Sequence, residues 1–341
     1  MLSRETFAVR VGNQADHYRI PRALTARCGT VEQLAAVTLD ALQSTVQHYV
    51  RLIHLTDPHL TSLDAWRPGL RAGKRWLSWL SWQRRRRQRH RRHRLTALTQ
   101  HLKTIDPDGW AITGDLCQIG LAQEVGDAAS WLAELAPPNK ALLVPGNHDN
   151  FALDSEARIM ELWAEYLHVS TGAPEWPVVR MHGEVALIGL NSAVVTPVLQ
   201  ASGRLGADVR ERLGKTLSEH RGHCRVVLIH HPPTPGACKR RKALTDDREL
   251  SDLLAEHGAA MVLHGHLHHN REYCIATRDG NSIPVFCTAS ASAAGRQGAA
   301  AARVFDIEPE SGGFRIDMSL EVLDGCDRPH TIEKREWRSA G

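Results

Sequence analysis

None of the seven cysteines stands in a C-x-x-C pair; Cys28, Cys117, Cys224, Cys238, Cys274, Cys287 and Cys326 are scattered and odd in number. That argues against a disulfide framework and against a thiolate zinc site. No apolar run reaches the roughly 18–20 residues of a membrane-spanning helix. The N-terminus has no positively charged stretch followed by an apolar one, so the expected location is the cytoplasm. Aromatic residues are scarce at 5%, no segment repeats, and neither charge dominates, with 42 Lys+Arg against 38 Asp+Glu and a net charge of +4. What remains is ordinary globular usage, 42% apolar and 23% charged, enough for a sizeable core.

The 341 residues suit one large α/β domain with additions, or two small domains. Histidine is abundant at 20 residues, so a single one says little and only clustering with other ligand types is informative. Residues 262–269 read VLHGHLHH, placing His264, His266, His268 and His269 together. From residue 50 a pattern repeats in which short apolar runs end in polar clusters. Strands are expected at Val50–Leu55, 110–113, 141–144, 224–229 and 259–263, each followed by Asp, Asn or His. Helical patterns fall near 95–105, 122–135, 151–167, 206–220 and 247–257. This alternation predicts an α/β architecture with both sheet faces covered. The later runs SIPVFCTAS, AARVFDIE and FRIDMSLEVL read as strands without intervening helices and suit a second sheet.

In open α/β sheets, loops from the carboxyl ends of several strands converge on a site. The residues so placed are Asp57, His59, Asp115, Asn147, His230, His266 and His268. Carboxylate, carboxamide and imidazole without thiolate suit Mn²⁺, Fe or Zn²⁺ better than Ca²⁺ or a structural zinc. Seven ligands exceed what one ion takes while leaving room for substrate, whereas two ions sharing a carboxylate accommodate them. Such pairs clamp a phosphoryl group for attack by a hydroxide held between them. The D-x-H spacing of Asp57 and His59, repeated at His266 and His268, would point both members of each pair one way if the backbone is extended. By that parity His264 is a core or supporting residue and His269 a loop residue. Taken singly, each of these positions reads as an ordinary turn or loop residue; it is their convergence that argues for a metal site.

The motifs DPH, GDL, GNHD, HHPP and GHLH, in this order and each after an expected strand, resemble those of the calcineurin-like metallophosphoesterases over roughly residues 50–290. The resemblance implies a four-layer α/β/β/α sandwich and two divalent ions, Mn²⁺ foremost with Fe, Zn²⁺ or Mg²⁺ as alternatives. It implies one ion on Asp57, His59, Asp115 and His268, and a second on Asp115, Asn147, His230 and His266, with Asp115 bridging. His148 matches the family histidine that contacts the scissile phosphate, stabilising developing charge or protonating the leaving oxygen, and Asp149 would orient it.

Between the first two ligand strands, residues 66–95 form a basic insertion rich in Trp and Arg. Trp76, Trp79 and Trp82 recur every third residue, followed by eight arginines between Arg84 and Arg94. Three readings stand: a long solvated helix with an apolar stripe, a nucleic-acid contact, or a membrane-surface and lipid-phosphate contact. The aromatics are not interleaved with the arginines as stacking platforms are, which favours the lipid over the nucleic acid among the functional readings. The placement is similar to an insertion in some bacterial metallophosphoesterases, a minority of them similar to UDP-2,3-diacylglucosamine hydrolases. Lys74 and Arg75 are the expected substrate-phosphate contacts. The domain layout is then an N-terminal extension over 1–48, loosely ordered with a helix near 31–50, a phosphoesterase domain over 49–330 and a tail over 331–341. The expected activity is hydrolysis of a phosphodiester, pyrophosphate or phosphomonoester, including a nucleotide-linked lipid, with peripheral contact at the inner membrane face through residues 74–94. The rivals are a cyclic-nucleotide phosphodiesterase or nuclease of this fold, and a non-catalytic metal-binding scaffold.

Overall fold

Two sheets carry the described residues of the computed structural model, which are 7–11, 14–19, 47–64, 66, 67, 69, 73–168, 175–294 and 298–341. The eight-stranded sheet contains β1 (Phe7–Val11), β2 (Gln14–Arg19), β3 (Gln47–Leu55), β4 (Gly109–Ile112) and β5 (Ala141–Leu143). A six-stranded sheet follows, with β6 (Val178–His182), β7 (Val185–Leu190), β8 (Cys224–Ile229), β9 (Met261–His264), β10 (Arg271–Ala276) and β11 (Ser282–Cys287). The chain then returns to the first sheet with β12 (Ala301–Glu310), β13 (Gly313–Leu323) and β14 (Pro329–Ala340). Strands β3–β4–β5 are parallel, as are β7–β8–β9.

Among the described residues the α-helices are α1 (Gly73–Ser81), α2 (Arg92–Thr104), α3 (Ala122–Leu135), α4 (Leu153–Leu162), α5 (Ala207–Glu219) and α6 (Asp247–His257). Period-two alternation explains the layering. In β8, Val226 and Leu228 enter the core shared with the first sheet, while Val227 and Ile229 pack under Leu213, Leu217, Leu250 and Leu254 of α5 and α6. Leu95, Leu98 and Leu102 of α2, three and four residues apart, join Val125, Ala128 and Leu132 of α3 on the same shared core. The result is the expected α/β/β/α sandwich.

Three expectations change at the margins. Within 1–48, β1 and β2 pair with each other, and β2 pairs with Gln47–Tyr49 of β3. That part of β3 runs past its parallel neighbour, which begins opposite Leu52, so an edge is left to be covered. The helix expected near 31–50 ends in strand at Gln47–Val50, and its remainder lies outside the described residues. The tail over 331–341 is strand β14, hydrogen-bonded along β13 from Leu323↔Pro329 to Gly313↔Ala340. Its Trp337 packs 5.5 Å from Phe286 and 6.3 Å from Phe305, which gives this otherwise polar edge strand an apolar anchor.

The arginine run is not one long helix. Helix α1 passes into a π-helical segment, Trp82–Arg86, and then through a turn over 87–89 before α2. Of the stripe, Trp82 is buried with Leu63, Ile119 and Phe151, and Trp79 packs against them. Trp76 and Leu77 face outward, 43% and 41% exposed. Arg94 is buried and holds Asp327 at 2.7 Å and the carbonyls of Leu323 and Asp324, so the run's last arginine serves the fold rather than a ligand. Among the described residues no helix is long and apolar enough to cross a membrane.

Candidate metal centre

The carboxyl ends of β3, β4, β5, β8 and β9 meet, and all seven expected ligand residues lie there. The loop after β3 is fastened to the loop after β4 by three backbone hydrogen bonds, from Asp57 to Gly114, His59 to Asp115 and Leu60 to Leu116. Strand β3 ends at Leu55 and β9 at His264, so the two D-x-H and H-x-H pairs sit beyond the strands. Asp57, His59, Asp115, His266 and His268 all have positive φ, between 42° and 67°. The extended-chain rationale for the spacing is therefore replaced by another: left-handed residues curl each loop back over its strand end. Such conformations cost about 1–3 kcal/mol each and persist where surrounding structure imposes them.

Close contact between loops requires two glycines without side chains. A Cβ on Gly146 would overlap Asp115, and one on Gly265 would overlap Thr56 Oγ1 and Asp57 Oδ2. Gly265→Ala is expected to cost at least about 1–3 kcal/mol, as overpacking does, and to weaken metal binding by displacing Asp57. Thermal unfolding and metal content measured on the same preparation test this; wild-type values in both would refute it.

Two of the imidazoles, His59 and His230, are aimed by their second nitrogen. Nδ1–H of His59 donates to Cys117 O at 2.9 Å and that of His230 to Thr113 O at 2.6 Å. A carbonyl can only accept, so Nε2 of both rings faces the centre. Asp115 lies between them, with Oδ2 3.4 Å from His230 Nε2 and 3.9 Å from His59 Nε2. Its Oδ1 accepts the His148 backbone N–H at 2.8 Å. Asp57 Oδ1 faces His268 Nε2 at 2.9 Å, and Asn147 Oδ1 is 3.2 Å from His230 Nε2. Two groups of donor atoms lie within 4.8 Å of one another: Asp57, His59, Asp115 and His268, and Asp115, His230 and His266. Both contain Asp115.

The residues fit divalent ions on three counts. Buried polar atoms normally find partners, yet His266 Nε2 is buried without a hydrogen bond. Burial lowers His59 to about 4 and His266 well below its ordinary value, leaving both rings neutral and able to ligate. Burial opposes charge on His230 too, but the adjacent Asp115 raises it to about 9, while burial of Asp115 is outweighed by His230 and His148, which hold it well below the usual carboxylate range. A proton shared by Asp115 and His230 thus stands where a cation would bind and displace it.

His148 donates Nδ1–H to Gln118 O and its ring lies 6.0 Å from Phe151. The buried Asp149 carboxylate accepts the N–H groups of Gly146 and Asp115 at 2.8 Å and Cys117 at 2.9 Å, tying the two metal loops together. Glu124 does likewise for Gln118, Ile119 and Leu121. Of the expected phosphate contacts, Arg75 is turned away, binding Asp154 at 2.8 and 3.1 Å and the carbonyls of Ile119 and Gly120, and so fastening α1 to the body. Lys74 lies over the Phe151 ring at 4.2 Å and lines a cavity with His148. His264 is buried in β9 and His269 is half-buried in the following loop.

A cavity of about 140 Å³ opens over the centre, lined by His59, Asp115, Asn147, His148, His266 and His268, and also by Arg89, His90 and Lys242. Sequence reasoning did not single out the last three. An adjoining cavity of about 410 Å³ has Lys74, Arg89, Arg241 and Lys242 together with apolar Leu77, Phe151, Val198 and Leu199.

The sequence matches the profile of the family described as calcineurin-like phosphoesterase over residues 50–270. No curated protein matches it. Among solved structures it is similar to a purple acid phosphatase from yellow lupin, Lupinus luteus, at 12% identity, covering 85% of this chain and 56% of that one with a TM-score of 0.50. A sulfate thiohydrolase from Thermus thermophilus is 14% identical, with 85% and 56% covered and a TM-score of 0.44. Vps29 from Entamoeba histolytica is 12% identical, with 84% and 99% covered and a TM-score of 0.37. At these identities the likeness concerns fold alone, and the chain spans about half the length of the lupin phosphatase, 56%.

Proposed function

Because the chain belongs to the calcineurin-like phosphoesterase family, a family of metal-dependent hydrolases of phosphate esters, we propose that it cleaves a phosphodiester or pyrophosphate in an amphiphilic substrate, such as a nucleotide-linked lipid. The observation that supports this reading is the two-sided cavity beside the centre. Its Lys74, Arg89, Arg241 and Lys242 suit anionic oxygens, and Leu77, Phe151, Val198 and Leu199 suit an acyl chain. Leu199 is 80% exposed, an unusual cost for an apolar side chain unless something apolar meets it. Trp76, next to Leu77 on α1, is also exposed, which suits the membrane-surface reading of the insertion.

In this reading Asp57, His59, Asp115 and His268 hold one ion and Asp115, Asn147, His230 and His266 the other, with Mn²⁺ favoured by the oxygen and nitrogen donors. Bound ions supply Lewis-acid polarisation of the phosphoryl oxygens and a hydroxide nucleophile at neutral pH. The chain supplies the rest. Asp149 and Glu124 fix the loops, His148 reaches the phosphoryl group or the leaving oxygen, and the cationic wall orients substrate in line.

The test compares a long-chain phosphodiester in mixed micelles with soluble bis-p-nitrophenyl phosphate, both with Mn²⁺. Leu199→Asp is expected to lower kcat/KM for the long-chain ester about tenfold or more, the equivalent of losing roughly one buried apolar side chain, and to spare the soluble ester. Equal effects on both would remove the lipid from the proposal, and no hydrolysis of either by the wild type would favour the scaffold.

A further inference from the structure

The arginine-rich insertion reaches the cavity over the centre at Arg89 and His90. After the π-helical segment and a turn over 87–89, His90 forms an antiparallel bridge with Ala293. Arg91 N–H donates to Ser292 O at 2.9 Å, and Ala294 N–H donates to Arg89 O at 2.8 Å. This main-chain clasp sets the His90 ring 4.3 Å from that of His59 and 5.4 Å from that of His268. Donor atoms of His59, His90 and His268 lie within 4.8 Å of one another, the same span that groups His59 and His268 with Asp57 and Asp115.

The serine hydroxyls hold one nitrogen of the His90 ring. Ser290 Oγ donates its one hydrogen to Asp57 O at 2.6 Å, so toward His90 Nδ1, 3.2 Å away, it can only accept, and Ser292 Oγ lies 3.0 Å from the same nitrogen. In the tautomer with the proton on Nδ1, Ser290 accepts it and Nε2 keeps the lone pair. An imidazole oriented through one nitrogen while the other ligates is the common arrangement in metal sites, and His59 and His230 show it here through carbonyls.

We propose that His90 is a further ligand of the ion assigned above to Asp57, His59, Asp115 and His268, so that metal binding clasps the arginine-rich insertion onto the centre. This rests on the dinuclear reading. Ion loading would then also position Arg89, the neighbouring residue on the cavity wall, and so link metal occupancy to the charge that meets substrate.

Titration of the full chain with Co²⁺, followed by calorimetry and visible d–d absorption, tests this. Wild type is expected to take two ions. His90→Ala should weaken one of them about 10–100-fold, the range seen when groups supporting a metal site are removed, and should intensify the absorption as the coordination number falls. Free imidazole added to His90→Gly should restore the wild-type spectrum, which a purely structural role would not allow. Arg92→Ala, an exposed change on the same segment, should bind both ions as wild type does. Fewer than two ions in the wild type would overturn the dinuclear reading itself. Two ions there, with an affinity and spectrum unaltered by His90→Ala, would overturn the ligand role alone, whether or not KM changes. Failure of imidazole to restore a weakened His90→Gly would overturn it as well.

Discussion

Asp115→Asn is expected to abolish binding of one ion, weaken the other and lower phosphodiesterase turnover by roughly a thousandfold or more. The figure follows from the several kcal/mol that a metal pair supplies and the tenfold in rate for each 1.4 kcal/mol. Asp115 is the one residue common to the two donor groups. Its oxygens are also divided, Oδ1 accepting from the His148 backbone and Oδ2 facing His230 and His59. The asparagine is nearly isosteric, but an amide has one acceptor oxygen where the carboxylate has two. Either its NH₂ meets the His148 N–H, or it meets His230 Nε2. The negative charge goes with it, and burial then returns His230 to its neutral form, removing a shared proton that the ion would otherwise replace. Metal analysis after gel filtration and turnover of bis-p-nitrophenyl phosphate with Mn²⁺ decide the matter. Two retained ions with near-normal turnover would show that Asp115 does not bridge.

The legible part of this molecule is that in which local pattern and tertiary role coincide. Strands β3, β4, β5, β8 and β9 are short buried apolar runs that end in ligand types, so each run announced both an element and a site residue. Strand β7, equally buried over Val185–Leu190, is less legible because the Asn191 and Ser192 that follow it belong to no ligand motif. Strand β14 was passed over because an edge strand with one packed face contributes a single strong signal, Trp337. The ligand identities could be read, but the reason for their spacing could not. Nothing in D-x-H tells extended chain from left-handed turns, because the choice is imposed by the clasp between the β3 and β4 loops and by the room that Gly146 and Gly265 leave. Asp149 stood within a recognisable motif, yet its job of binding three N–H groups from two loops emerges only once those loops meet. His90 is hidden by its surroundings, one of two imidazoles among eight arginines, and is marked out by a hydroxyl 200 residues further along the chain. The same distance explains Arg75 and Arg94, whose charges go to Asp154 and Asp327 rather than to a ligand.

His148→Ala should separate chemistry from metal binding. The side chain belongs to neither donor group, so ion content is expected to stay at the wild-type level, while kcat falls by about 10²–10⁴-fold, the usual range for a general acid or base. The size of the loss should depend on the leaving group. With Nδ1–H given to Gln118 O, a second proton on the ring sits on Nε2, toward the cavity that His148 lines. A p-nitrophenolate departs without a proton, whereas an alkoxide needs one in the transition state. Proton donation therefore predicts a deficit that is small for aryl esters and approaches the upper end of the range for alkyl esters. A charge contact with the phosphoryl oxygens would instead cost both substrates alike. Steady-state kinetics of His148→Ala on an aryl and an alkyl ester of the same phosphodiester distinguish the two, and a wild-type rate on both would remove His148 from the reaction.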